Sequence, residues 1–182
     1  DGSGDSDSLS IDTENPTVDV NIVDNELTDA DDTSLVTFEF SEAVIGFDAS
    51  DLSLVGGSIS SFTVIDANSF TALFTATDGV EIVGQVSVVG NYTDLIGNTG
   101  IAGSDTVDID TLNPTVVVDI VESSLTDANA VSLVTFTFSE DVSGFDVNDV
   151  TPNLGTISGF MVIDDSNYSA IFTAADGVDA LG

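Results

Sequence analysis

The stretch IDTENPTVDVNIV at residues 11–23 decides the fold, because it returns as IDTLNPTVVVDIV at residues 109–121. The offset of 98 residues holds without a gap as far as Glu81 and its counterpart Asp179, and more than half of the paired positions are identical. Self-similarity at a fixed period is typical of repeat architectures, in which each copy is one structural unit. The chain is therefore predicted to contain tandem copies of one domain.

The same offset predicts the domain boundaries. Residues 11–108 form the first copy and residues 109–182 the second, which we expect to be incomplete at its C-terminus because Gly182 is the counterpart of Gly84. Residues 1–10 match the end of a copy, so we expect them to be the tail strand of a preceding repeat. A longer parent protein is the corresponding expectation.

Each copy has the residue pattern of an all-β domain. In the run LVTFEF at residues 35–40, Val36, Phe38 and Phe40 fall on one face and polar residues on the other. Similar short runs rich in β-branched and aromatic residues are separated by clusters of Gly, Asn, Asp and Ser, which is the pattern of strands joined by turns. About seven strands in roughly 98 residues predict an immunoglobulin-like β-sandwich with the phenylalanines in its core. At most one helical turn is expected, at residues 46–51.

The charge of the chain excludes several classes of function. Asp and Glu total 33, whereas Lys, Arg and His are absent, so the formal net charge is −33. Nucleic acids and anionic lipids bind through Lys and Arg, so neither is an expected partner. Without His, Lys or Cys, an enzyme would have few groups for acid–base or nucleophilic chemistry, and we predict that the chain is not an enzyme. No run of apolar residues is long enough to predict membrane insertion.

Three motifs carry a family resemblance. They are D-T-x-N-P-T-V at residues 12–18, F-S-E-x-V-x-G-F-D at residues 40–48 and D-L-x-G-N-T-G at residues 94–100, and the first two recur at residues 110–116 and 138–146. The chain resembles the bacterial immunoglobulin-like (BIg-type) repeats of giant secreted surface adhesins. That resemblance implies a cell-surface or secreted protein in which many copies form a stalk, commonly with calcium stiffening the junctions. The complete absence of basic residues goes beyond the family pattern.

The acidic residues are predicted to concentrate at the two poles of each sandwich, where successive copies meet. Six to eight oxygen ligands, including several carboxylates, are what Ca²⁺ prefers, whereas zinc is disfavoured without His or Cys. The alternative is that the Asp-rich loops are only turn formers, since Asp side chains bond the local backbone. Around the first pole the candidate ligands are Asp12, Glu42, Asp48, Asp94 and Asn98. Around the junction between the copies they are Asp29, Asp31, Asp32, Asp108, Asp110, Glu140, Asp146 and Asp149. Asp127, the counterpart of Asp29 in the second copy, is a further candidate.

The repeat pattern and the acidity together predict a structural spacer in the stalk of a large bacterial adhesin, located at the cell surface and involved in biofilm adhesion. Its expected partners are neighbouring repeats of the same chain, with other cells or matrix glycans bound by other domains. Two alternatives remain open. The repeats themselves could bind a glycan or matrix, with Tyr92 and Tyr168 as stacking residues, or the chain could assemble into a fibre or sheath by strand donation.

Overall fold

A computed structural model describes Asp7 and residues 9–179 of the chain. It divides into two compact units, Asp1–Leu112 (unit 1) and Asn113–Gly182 (unit 2). The predicted tail at residues 1–10 lies largely outside the described residues. Regular structure in the described part consists of β-strands and two short 3-10 helices, and no helix there is long and apolar enough to cross a membrane.

Unit 1 contains two four-stranded sheets that share one core. The first sheet has the order β1-β3-β7-β6 and is antiparallel, and the second has the order β2-β10-β8-β5, in which β2 and β10 run parallel. A short pair, β4 with β9, lies beside them. The strands of the described residues are β1 (Val18–Ile22), β2 (Glu26–Thr28), β3 (Thr33–Phe40), β4 (Val44–Ile45), β5 (Leu52–Val55), β6 (Gly57–Val64), β7 (Ser69–Ala76), β8 (Glu81–Val88), β9 (Thr93–Asp94) and β10 (Gly103–Asp110).

The core of unit 1 lies between these sheets. Along β3, Val36, Phe38 and Phe40 are buried, which confirms the predicted alternation. Phe47 makes edge-to-face ring contacts with Phe38 and Phe40, an arrangement that aromatic rings prefer. The second sheet contributes inward-facing aliphatic side chains to the same core, namely Leu27, Val86, Val88, Val107 and Ile109. The prediction of a β-sandwich is therefore confirmed.

Two strands of unit 1 lie where the sequence predicted loops or gave no strand signal. The strand β2 falls in a polar stretch for which the sequence gave no strand signal, and β5 follows the 3-10 helix Ala49–Asp51, which lies within the predicted helical turn. Both strands are short, and each pairs with a distant strand of the second sheet. Their formation therefore depends on tertiary pairing, which local residue pattern does not report.

Unit 2 repeats the first sheet of unit 1. Its strands are β11 (Val116–Ile120), β12 (Val131–Phe138), β13 (Gly155–Val162) and β14 (Asn167–Ala174), in the order β11-β12-β14-β13. The register is also repeated, since Val18 opposes Phe40 in unit 1 and Val116 opposes Phe138 in unit 2. A 3-10 helix at Val147–Asp149 matches the one in unit 1.

Candidate metal site

Three carboxylates from distant parts of the sequence meet at one end of unit 1. Asp12 lies in the extended segment before β1, Glu42 lies between β3 and β4, and Asp94 ends β9. One carboxylate oxygen from each residue lies within 4.8 Å of the others. The topology brings them together because β1, β4 and β9 all have an end at this pole of the sandwich. We call these three residues the acidic cluster.

Asp94 is the most firmly held member of the acidic cluster. Its side chain is 1% exposed, and its Oδ1 accepts hydrogen bonds from the backbone N–H groups of Ile96, Gly97 and Asn98 at 2.9, 2.6 and 2.8 Å. The Asn98 side-chain amide donates to Oδ2 at 2.6 Å. Burial by itself would raise the pKa of Asp94, but these hydrogen bonds outweigh burial and lower the pKa below its ordinary value. The cluster therefore contains a fixed negative charge.

The pKa of Glu42 is shifted in the opposite direction to that of Asp94. Its side chain is half-buried, and its pKa is raised, first by burial and then by the negative charges of Asp12, Asp94 and Glu14. A raised carboxyl pKa next to other carboxylates means that like charges are crowded together. Because the chain has no Lys, Arg or His, no side chain can neutralise them. A bound cation would reverse the sign of this interaction.

The segment that carries Asp12 is attached to the loop between β9 and β10. Pro16 is buried, and its carbonyl accepts a hydrogen bond from the Ile101 N–H at 2.8 Å. The Asn98 amide also donates to the Asp12 carbonyl at 3.4 Å. A Cβ added at Gly100 would overlap the ring of Tyr92, so only glycine lets this loop approach so closely. The acidic cluster thus sits where the segment before β1 meets the body of the sandwich.

The ligands that the acidic cluster offers fit a hard divalent cation. All of them are oxygens, the donor type that Ca²⁺ prefers. Three carboxylates cannot supply six to eight oxygens if each binds through one, so water would have to complete the coordination. Ca²⁺ tolerates that irregular geometry better than Mg²⁺, which demands a near-ideal octahedron. Zinc is a poor match, because the cluster contains neither His nor Cys.

Of the fourteen residues predicted to be metal ligands, Asn98 is the only one besides the acidic cluster that the described structure places directly against it. Asp48 and Asp146 instead cap the two 3-10 helices, where their Oδ1 atoms accept from the N–H groups of Ser50 and Asn148. This is the local turn role that was the alternative to metal binding. The hydrogen bonds from Ser50 lower the pKa of Asp48.

The remaining predicted ligands are distributed between the two units. Asp29 and Asp127 lie in exposed two-residue turns, and Asp31 closes the first of these by a bridge to Thr28. Asp32 directly precedes β3, Asp108 and Asp110 lie on β10, and Glu140 follows β12. Asp149 ends the second 3-10 helix, where its Oδ2 accepts a hydrogen bond from the Asp146 N–H. Metal binding by these residues stays a prediction.

Both tyrosines are structural, so the idea that they form a glycan-stacking surface is wrong. Tyr92 and Tyr168 are buried. The Tyr92 hydroxyl lies 2.6 Å from the Ile101 carbonyl and 3.2 Å from that of Pro16, and burial raises its pKa. This anchoring role was missed because a buried tyrosine and an exposed one look alike in a sequence.

Comparison with known proteins agrees with the fold. The family description that matches the chain is that of the bacterial Ig-like domain, over residues 12–109 and again over residues 110–182. The chain belongs to the bacterial Ig-like domain family. It is a tandem array of these domains, which are generally non-catalytic structural modules and are typically extracellular or surface-exposed. No curated protein matches the chain.

Proposed function

We propose that these bacterial Ig-like repeats are a structural spacer of a cell-surface adhesin, and that Ca²⁺ bound by the acidic cluster stiffens it. The observation that supports the proposal is the meeting of Asp12, Glu42 and Asp94 within 4.8 Å in a chain without any cationic side chain. Asp12 belongs to the segment before β1, whereas Glu42 and Asp94 belong to the body of the sandwich. A shared ion would therefore hold that segment in one direction.

Stiffening is the useful consequence for a spacer. Pro16 already fixes one point of the segment, because its ring restricts the backbone and its carbonyl is bonded to Ile101. The ion would add a second fixed point four residues earlier, at Asp12. A segment held at both Asp12 and Pro16 has a fixed direction, whereas a segment held at Pro16 alone can still rotate about that point.

The affinity expected for such a site is modest. Extracellular calcium modules bind with dissociation constants of about 10⁻⁴–10⁻³ M, since calcium outside cells is abundant. A ligand that binds only the folded state stabilises it in proportion to the logarithm of its concentration. Calcium should therefore raise the melting temperature of unit 1 progressively, and chelation should reverse the rise.

The metal proposal is tested by calorimetric titration and thermal melting of the full chain with Ca²⁺ at constant ionic strength. Glu42→Gln removes one charge from the acidic cluster and keeps the size of the side chain, so binding should weaken. Asp66→Asn is the matched control, because Asp66 accepts a hydrogen bond in an exposed turn outside the cluster. The proposal fails if a chelator leaves the melting temperature unchanged, or if both variants bind calcium like the parent chain.

The location is tested separately with antibodies raised against the chain. A surface spacer should be labelled on intact bacterial cells. Labelling that appears only after the cells are permeabilised would contradict the surface assignment and leave the calcium site unaffected.

A further inference from the structure

One strand at the edge of the first sheet in each unit is long and has a neighbour on one side only. In unit 1 the order β1-β3-β7-β6 gives β6 the single neighbour β7 within the described residues, although both sheets of that sandwich are present. In unit 2 the strand β13 has the single neighbour β14 in the same way. Each edge strand is eight residues long. Such an edge presents unpaired backbone N–H and C=O groups to which another chain can bond.

A hydrogen bond at the start of β6 shows which backbone groups point outward. The Thr77 N–H donates to the Gly56 carbonyl at 2.8 Å, so Gly56 bonds toward β7. The direction of the backbone groups alternates from one residue of a strand to the next. Gly57 and Ile59 therefore direct their N–H and C=O groups toward the free edge.

Unit 2 repeats this edge. The Ala175 N–H donates to the Leu154 carbonyl at 2.9 Å, which directs the backbone groups of Gly155 and Ile157 outward. In both units a bulge interrupts the pairing with the inner strand halfway along the edge strand. Because a bulge bends and twists a strand, the regular free edge is the first half of β6 and of β13.

Neither edge strand carries a charge, although the chain is rich in acidic residues. Asp and Glu account for 33 of the 182 residues. The two longest stretches without either of them are residues 52–65 and 150–163, which contain β6 and β13. Charged side chains are one of the usual means by which an edge strand prevents pairing with another chain. Both copies lack that protection at the same place.

The other edge strands of unit 1 are protected by charge or are very short. At the opposite edge of the first sheet, β1 contains Asp19, and its Ile22 N–H donates to the Asp105 carboxylate at 2.8 Å. In the second sheet, β2 has three residues, including Glu26, and β5 has four. The strands β4 and β9 have two residues each. Among the described strands of unit 1, β6 alone is a long, uncharged edge.

The charge of the chain points to a second copy as the partner of this edge. A cationic partner would be attracted to the acidic parts of the surface and not to an uncharged strand. Two copies, each with a net charge of −33, repel one another except where strands without carboxylates meet. A second copy supplies the same uncharged edge, and identical edges can pair about a twofold axis.

We propose that the β6 edge, and equally the β13 edge, pairs antiparallel with the same edge of a second copy of this chain, so that two sheets become one. Gly57 of each copy opposes Ile59 of the other, and each of these pairs exchanges two backbone hydrogen bonds. Ser58 then opposes Ser58 of the second copy, at the position where side chains lie closest. No strand leaves its own sandwich, and the pairing needs no calcium. Neighbouring spacers would thereby adhere side by side.

Cysteine cross-linking of the full chain detects this pairing even when it is transient. The chain has no cysteine, so an introduced one is the sole thiol. Ser58→Cys brings two thiols together across the proposed pair, whereas Asn21→Cys places an equally exposed thiol on β1. Under mild oxidation at physiological salt, with a chelator present, Ser58→Cys should form a disulfide-linked dimer about tenfold or more faster than Asn21→Cys. Equal rates would overturn the proposal.

Added charges test the same edge by sedimentation equilibrium. Association of the parent chain should increase with salt, because screening weakens the repulsion between copies. Ser58→Asp combined with Thr156→Asp places like charges opposite each other and should weaken association about tenfold or more. Asn21→Asp combined with Thr137→Glu is the matched control, since each change introduces the residue that the other copy carries at that position. The control should associate like the parent chain, and equal weakening by the two double variants would overturn the proposal.

Hydrogen exchange identifies the backbone groups that become bonded. Raising the chain concentration at high salt should slow exchange at the N–H groups of Gly57 and Ile59 and at those of Gly155 and Ile157. Exchange at the Ile22 N–H should not change, because that group is already bonded. Association that leaves the β6 and β13 edges unprotected would overturn the proposal. A chain that stays monomeric at high salt and gives no preferential Ser58→Cys cross-link would overturn it as well.

Discussion

The two units contain the same four-stranded sheet in different surroundings. In unit 1 a second sheet covers its inner face, whereas the described residues of unit 2 leave that face open. Strand positions, pairing order and register are nevertheless the same. The comparison teaches that the first sheet is specified by its own residues. The burial of its inner face depends on β8 and β10, which pack against it, and the formation of β2 and β5 depends on pairing with the same two strands.

The two environments can be measured independently because each unit contains one tyrosine. Tyr92 lies in unit 1 and Tyr168 in unit 2, and the chain has no tryptophan. Replacing either tyrosine by phenylalanine leaves one fluorescent reporter. Denaturant unfolding of the two single-tyrosine chains therefore gives the stability of each unit.

The largest difference should come from shortening the same inward isoleucine in each unit. Ile22→Ala should cost unit 1 about 2–5 kcal/mol, because it leaves a cavity in a closed core. Ile120→Ala should cost unit 2 under about 1 kcal/mol, because that side chain is half exposed. Urea unfolding of the reporter chains measures both values. Equal losses would show that the face of unit 2 is closed in solution.

Each unit has a glycine at the same position of its sheet, and replacing it by alanine should lower the stability of both units by the same amount. A Cβ at Gly57 would overlap the ring of Phe74 and the Thr75 carbonyl, and a Cβ at Gly155 would meet the ring of Phe172 and the Thr173 carbonyl. Gly57→Ala and Gly155→Ala should each cost about 1–3 kcal/mol, since overpacking forces neighbours to move. The same unfolding assay applies. A loss in unit 1 alone would mean that the repeated register of β13 and β14 is wrong.

Smaller changes in stability, opposite in sign in the two units, are expected at the bulge of β6 and β13. Ser61 and Gly159 occupy equivalent positions with positive φ values of 52° and 58°, a conformation that costs residues other than glycine about 1 kcal/mol or more. Ser61→Gly should therefore stabilise unit 1 by about 1 kcal/mol, and Gly159→Ser should destabilise unit 2 by a similar amount. Both positions are exposed, so packing changes little. Destabilisation of unit 1 by Ser61→Gly would contradict this account.

The stability of unit 1 should change in two opposite directions as the pH is lowered from neutral into the acidic range. Glu42 has a raised pKa, so its ionisation opposes folding, and unit 1 should gain a little stability as pH falls through that pKa toward 4.5. Asp94 has a lowered pKa, so the stability it contributes is present above pH 3.8 and is lost as pH falls further, through its folded-state pKa. Unfolding of the Tyr92 reporter chain across this range measures both effects.

Two variants separate these pH effects. Glu42→Gln should abolish the gain and retain the loss at lower pH. Asp94→Asn should reduce that loss. Saturating Ca²⁺ should also abolish the gain, because the ion neutralises the charges that oppose Glu42. A gain that persists in Glu42→Gln would assign it to another group.

The sequence predicted the parts of this structure that depend on local pattern. Alternation along residues 35–40 correctly identified the buried face of β3, and three of the residues assigned to the first pole, Asp12, Glu42 and Asp94, lie together. It could not predict β2 or β5, which are held by distant partners. Nor could it distinguish Asp48, which caps a 3-10 helix, from Asp94, which faces Glu42, because both are aspartates in polar loops.

Terbium luminescence tests the central claim, cation binding at the acidic cluster, most directly. Tb³⁺ replaces Ca²⁺ in oxygen-ligand sites and emits when a nearby tyrosine is excited, and Tyr92 lies two residues from Asp94. At physiological ionic strength we expect emission that Ca²⁺ displaces. Tyr92→Phe should abolish it and Glu42→Gln should reduce it, whereas Tyr168→Phe should leave it unchanged. Emission that survives Tyr92→Phe, or that Glu42→Gln leaves unreduced, would contradict the site.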